Sequence, residues 1–400
     1  MKKIFSIALA ATLLAAGCQK TEVIGLDDSK TGPAMTFSTE MKKITKVVGT
    51  PSAGATGLND NLYAQGFSIW AFADYDLTNA TNVQDDAKKP FYRAYDNMVD
   101  WFVDYEPATE TTSAKWNPGK EFYWPGTGKD LRFFAVSATR KNSTVQGKTD
   151  LKYTVEIENG IGAQGGLDSD DITAKVTIKD FIVDEIGENK GPNEDLMVAN
   201  FVKQNQNDEK QVTLNFNHTL SKVQFLFTTT PDSYDSNNNP VYSSTVTVNS
   251  ISVDPLETKG TLVVEGSFGE ALSSYTWHLA SVNPLSGEVD NKYVKRFTKS
   301  SVTPQLTKDP LIYDTWLMLP QSIEGKKITI NYTIDQRSFD VIFNLNGNRT
   351  DLTGWGRNQY IKYTIDISPN KIKFDAKTNP WDEYDSDPNK TGNQGVDMGN

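Results

Sequence analysis

The stretch QVTLNFNHTLSKVQFLF (211–227) alternates apolar and polar residues, but it changes step once. Val212, Leu214, Phe216, His218 and Leu220 share one parity, whereas Val223, Phe225 and Phe227 share the other. Successive side chains of a strand point to opposite faces, so period two predicts a half-buried strand and excludes a helix here. A one-residue phase change exchanges the two faces, so the chain must bulge or bend near Ser221-Lys222. A similar switch separates Val246 and Val248 from Ile251 and Val253. Strands that change phase in this way often turn a corner between two packed sheets.

The same period recurs along the chain. Met35, Phe37, Thr39 and Met41 alternate with polar partners, and FSIWAFA (67–73), between Gly66 and Asp74, predicts a core strand. LRFFAVSA (131–138), YTVEI (153–157), AKVTIKDFIV (174–183) and DLMVANF (195–201) predict further strands. KKITINYTID (326–335) and SFDVIFNLN (338–346) predict a hairpin around Gln336-Arg337, and Ser368-Pro369-Asn370 separates YIKYTIDI from KIKF. Nowhere does a stripe of period 3.6 persist for three helical turns. Four hundred residues exceed one compact core, so the expectation is all-β with two sandwiches joined near 201–210. The expected domains are 34–203 and 204–382, followed by a disordered polar tail at 383–400.

The N-terminus predicts an address. Lys2 and Lys3 precede an apolar run from Ile4 to Ala16, which suits a signal peptide and is too short to span a bilayer. Ala15, Ala16 and Gly17 then lead into Cys18, the only cysteine. This resembles a bacterial lipobox, with Ala15 where Leu is usual. The expectation is cleavage between Gly17 and Cys18, acylation of the Cys18 sulfur, a signal peptide at 1–17 and a flexible tether at 18–33. An ordinary secretory signal is the competing reading. Each buried methylene adds about 0.8 kcal/mol, so two or three acyl chains hold a protein in place almost permanently. Gln19 is not the Asp that favours inner-membrane retention, which points to the outer membrane.

The chemistry-bearing residues are few. One Cys allows neither an internal disulfide nor a thiolate metal cage. Of the two histidines, His218 falls in a strand pattern and reads as a packed structural residue, and His278 as strand or surface. No GxSxG motif is present, and no cofactor is expected. Asp168, Asp170 and Asp171 cluster in a turn and read as solvated rather than as a calcium loop. A net charge of −11 with scattered Lys and Arg argues against nucleic acid as a partner. The aromatics of 91–124 read mainly as core, while Trp101 and Tyr105 are candidate ligand contacts if exposed.

FYWPGTGKDLRFFAVSA (122–138), EDLMVANF (194–201), LNFNHTLSKVQFLF (214–227) and WGRNQYIKYTIDISPNKIKF (355–374), followed by Pro380-Trp381, occur in that order. This set resembles the fimbrillin family, the lipoprotein pilins and accessory subunits of type V pili, over roughly Ala34 to Trp381. The resemblance implies two tandem transthyretin-like (Greek-key) β-sandwich domains and a precursor tethered to the outer membrane. It also implies, for shaft subunits, that an arginine-specific protease removes the tether and the first strand. A strand from a neighbouring pilus subunit then fills the groove, a head-to-tail contact that builds a filament. Two features depart from that pattern. The first Arg of the chain is Arg93, which leaves Lys30, Lys42, Lys43 and Lys46 as candidate processing sites. The tail after Trp381 also lacks the alternating apolar residues of a donor strand. The expected role is therefore a non-enzymatic, lipid-anchored adhesive or structural subunit of the cell surface, an anchor or accessory rather than shaft. The alternative is a stand-alone glycan-binding lipoprotein that uses Trp101 and Tyr105 on host or bacterial surface glycans or proteins.

Overall fold

A computed structural model describes residues 34–41, 66–74, 101–109, 111–119, 122, 124, 130–137, 153–158, 173–183, 195–205, 211–280, 294–347 and 349–380. The fold is all-β, and no helix occurs among the described residues. An eight-stranded sheet runs in the order Thr36–Met41, Gln211–His218, Met197–Ala199, Asp130–Ser137, Phe67–Asp74, Trp101–Glu106, Lys115–Asn117, with Val202–Gln204 added beside Asp130–Ser137. The apolar run at 67–73 is explained by burial on both faces, which removes the polar alternation of a half-exposed strand. Phe67, Ile69 and Ala71 enter one core cluster, and Trp70 and Phe72 enter another. Asp130–Ser137 divides likewise, with Phe133 and Ala135 on one side and Phe134 and Val136 on the other.

The Trp70 face packs on a four-stranded sheet ordered Ser274–Leu279, Lys259–Gly266, Ala174–Ile182, Thr154–Glu158. That sheet contributes Val176, Ile178, Leu262 and Val264. Strands from both sides of residue 204 therefore share both sheets. Gln211–His218 joins Met197–Ala199, and Lys259–Gly266 joins Ala174–Ile182.

The second sandwich is built from eight strands: Ser221–Thr228, Val246–Glu257, Val294–Ser300, Leu311–Met318, Lys327–Ile334, Arg337–Asn344, Gln359–Ser368 and Lys371–Pro380. Taken in chain order, one sheet runs fourth-first-seventh-eighth and the other third-second-fifth-sixth. Rings interlock between the two sheets. Phe343 stacks on Phe374 at 5.0 Å and Phe297 approaches Trp316 at 6.0 Å, while within one sheet Trp316 meets Phe225 at 4.6 Å. The Trp355 indole, also buried, donates to the Tyr363 hydroxyl at 3.0 Å. One continuous core runs from Trp70 and Phe134 through Leu220 to Trp316 and Tyr363.

The phase change at Ser221 is a change of sheet. Gln211–His218 lies in the eight-stranded sheet, Thr219 and Leu220 turn, and Ser221–Thr228 enters the second sandwich. The switch after Val248 has the milder outcome, a bulge between Val248 and Ser250 within one continuous strand. The 326–346 hairpin turns at Asp335-Gln336, one residue earlier than the sequence pattern indicates, with Ile334 opposite Arg337. Both turn residues have positive φ, 46° and 71°, the combination that matches the twist of a two-residue hairpin.

Burial at the sandwich seam has a measurable consequence. The Tyr313 hydroxyl accepts from Ser301 N at 3.0 Å and donates to the Lys299 carbonyl at 3.1 Å. Burial pushes its ionisation up to about 12, and Tyr363 is raised for the same reason. An unfolded tyrosine ionises near pH 10, so above that pH the unfolded chain gives up protons that the fold retains. The Tyr313 contribution is therefore complete below pH 10 and is lost as pH rises towards 12. Urea midpoints measured at pH 9 and pH 11 are expected to fall less in Tyr313→Phe than in the parent; equal falls would refute this assignment.

Candidate functional site: the first strand and its groove

Thr36–Met41 forms the end of the eight-stranded sheet and pairs in parallel with Gln211–His218, from Thr36 opposite Gln211 to Met41 opposite Phe216. Its alternation places Met35 and Phe37 inside, at 5% and 4% exposure, and Thr36 outside. Phe37 meets the edge of Phe67 at 6.4 Å, and Phe67 in turn contacts Trp116 at 5.0 Å and Phe216 at 5.4 Å. Polar bonds fix the register. Ser38 and Thr213 hydroxyls lie 2.9 Å apart, and Met35 N donates to the Phe122 carbonyl at 2.6 Å.

Lys115–Asn117 ends the sheet order on the far side, yet its Trp116 indole donates to the Thr39 hydroxyl at 3.1 Å. The sheet thus curls until its two ends face each other around a single core. The first strand closes that curl with one backbone ladder and two buried side chains. Removing it would leave a slot floored by Val212, Leu214, Phe216, Phe67 and Trp116, beside an unpaired edge.

The other expected sites fall as follows. Gly17, Cys18, Lys30, Lys42, Lys43 and Lys46 lie outside the described residues, as do Asp168, Asp170 and Asp171. In sequence, Lys42 directly follows the seated strand. Trp101 and Tyr105 belong to strand Trp101–Glu106, opposite Ile69 and Trp116, with their side chains outside the described set. Trp116, Phe122 and Trp124, from the same aromatic stretch, are core residues. His278 is exposed on Ser274–Leu279. His218 is fully buried, with Nδ1 at 3.0 Å from the equally buried Asp195 carboxylate. Asp195 gave no signal in the sequence, since nothing in an isolated acid shows which strand end it will meet.

A family model described as fimbrillin-like matches residues 63–381. The chain belongs to the fimbrillin-like family. The match spans both sandwiches and begins after the first strand. Among solved structures, a proposed cell adhesion protein from Bacteroides uniformis is 13% identical, with a TM-score of 0.44, over 87% of this chain and 99% of its own. A fimbrial protein from Bacteroides vulgatus is 14% identical at a TM-score of 0.41, over 87% and 99%. A fimbrial assembly protein from Parabacteroides distasonis is 11% identical at 0.31, over 81% and 94%. No curated protein matches the chain.

Proposed function

We propose that this fimbrillin-like chain is a subunit of a cell-surface fimbrial or adhesion assembly, held at the outer membrane by lipid on Cys18. It retains its first strand and serves as an anchor or accessory subunit rather than in a shaft. The observation that carries this reading is the seating of Thr36–Met41: a ladder, two buried side chains and the Thr39–Trp116 bond close the curled sheet. No Arg precedes Arg93, so a protease that requires Arg has no site ahead of the core strand Phe67–Asp74. Lys42, Lys43 and Lys46 are the positions at which a lysine-specific cut would free the strand. The slot would then accept a strand from another subunit, with backbone bonds supplying strength and alternate side chains supplying register. The four-one-seven-eight and three-two-five-six strand orders support a transthyretin-like reading of the second sandwich. Residues 34–203 and 204–382 are then two modules knit by shared strands.

Metabolic labelling with a fatty-acid analogue tests the anchor. Label is expected on the parent chain in the outer-membrane fraction and absent from Cys18→Ala. An unlabelled parent chain released into the medium would overturn the reading.

A further inference from the structure

The second sandwich has four edge strands, and three of them are guarded against pairing. Val294–Ser300 carries Lys295, Arg296 and Lys299. Lys371–Pro380 carries three lysines and a proline, and Arg349 donates to its Ala376 carbonyl. Leu311–Met318 meets its neighbour at a bulge between Phe225 and Leu226. Charges, prolines, bulges and covering contacts are devices that keep a sheet edge from adding a strand. Arg337–Asn344, the fourth edge, has no lysine, proline or bulge along its eight residues. Ile334 and Arg337 flank the two-residue turn as a hydrogen-bonded pair. Alternate residues beyond it, Ser338, Asp340 and Ile342, therefore direct their backbone groups away from the sheet. The strand also exposes apolar side chains on both faces, Phe339 at 43% and Ile342 at 60%. Phe339 is held upright by stacking on Tyr332 at 5.5 Å.

We propose that Arg337–Asn344 pairs antiparallel with the same strand of a second copy, joining two second sandwiches through one continuous sheet. Beneath the strand, Phe343 stacks on Phe374 of the facing sheet and closes the core. A single donated strand would find no slot for its side chains there, whereas an edge backed by its own core needs none. The charges also suit a second copy. Arg337 and Asp340 are the two ionised side chains of the strand, and they balance. A twofold axis at Asp340 would set two carboxylates directly opposite each other, which destabilises a sheet. An axis at Ile342 would leave only residues 340–344 paired before the strand ends. An axis at Val341 sets Asp340 opposite Ile342 and Phe339 opposite Phe343, with no like charges directly paired. It also sets outward-directed backbone groups against outward-directed ones, as an antiparallel ladder requires. Such a contact is isologous and closes on itself, so it makes dimers rather than filaments. The edge belongs to a different sheet from the first-strand groove.

The test uses the full chain carrying Cys18→Ala, which removes the only thiol and any lipid on it, and so does not depend on the anchor assignment. Sedimentation velocity over about 1–100 μM is expected to show a monomer–dimer equilibrium. Adding Ile342→Lys, a charge on the edge, is expected to weaken the dimer at least about tenfold. That variant should melt like the parent, because Ile342 is exposed. Adding Val341→Cys instead places two thiols in a non-hydrogen-bonded pair, with Cα atoms about 4.5 Å apart and within disulfide reach. A disulfide-linked dimer is expected on mild oxidation. Ser338→Cys, opposite Asn344 in this register, and Val302→Cys, exposed outside this strand, should link far less. A chain that stays monomeric throughout, or one in which Val341→Cys links no faster than Ser338→Cys or Val302→Cys, would overturn the proposal. A dimer unaffected by Ile342→Lys would assign association to another surface, such as the first-strand groove, and overturn it as well.

Discussion

His218→Ala is expected to destabilise the fold by about 3 kcal/mol, read as a shift in the urea midpoint at neutral pH, because it removes a hydrogen-bond partner of a buried carboxylate and leaves a cavity where the ring was. His218 and Asp195 have no exposed side-chain surface, so the pair is shielded from bulk water. The pair sits where the chain leaves the eight-stranded sheet for the second sandwich, and its neighbours tie that passage down. Thr219 donates through N and Oγ1 to the Leu196 carbonyl, at 3.1 and 2.6 Å. Trp277 donates to the Thr219 carbonyl at 2.9 Å, and Ser221 donates to the Gly356 carbonyl at 2.8 Å. Replacing both members of the pair, as in Asp195→Leu/His218→Leu, is expected to recover part of the loss, since the buried carboxylate goes together with its imidazole partner. A loss below about 1 kcal/mol in His218→Ala would show that the pair is not the strut described here.

Phe37→Ala is the second large effect. Removing a buried phenylalanine costs about 3–5 kcal/mol, and here the cost falls on a strand held by a single ladder. The loss is expected to weaken seating of the strand before it weakens the rest of the core. If about 3 kcal/mol is lost from seating, the open population rises about a hundredfold. Cleavage by a lysine-specific protease between residues 42 and 46 is expected to accelerate by a similar factor when the strand opens and recloses faster than it is cut. Thr36→Ala, on the outward face of the same strand, should leave the rate within about threefold, a small surface effect. Equal cleavage rates in Phe37→Ala and the parent would mean that Phe37 does not hold the strand in place.

Much of the architecture could be read from residue order because period two is local. The alternation at 35–41, the apolar run at 67–73 and the hairpins at 326–346 and 360–374 each became strands near their expected bounds. The change of step at Ser221 marked the passage between sheets, since a strand that reverses its faces must leave its first core. Partner choice was not local. Nothing in Thr36–Met41 or Gln211–His218 shows that they lie side by side, because each would suit any sheet with one buried face. The same blindness hid Asp195 behind His218. The family resemblance implies a groove, but its closure through Trp116 and Thr39 joins residues 77 positions apart and leaves no local pattern.

The account turns on whether the chain keeps its first strand in the assembled state. Mass spectrometry of the N-terminal peptide of the protein, taken from intact surface assemblies, tests this directly. The account predicts an acylated Cys18 as the first residue, with Thr36–Met41 retained. A first residue at or beyond Lys43, with no lipid, would contradict it.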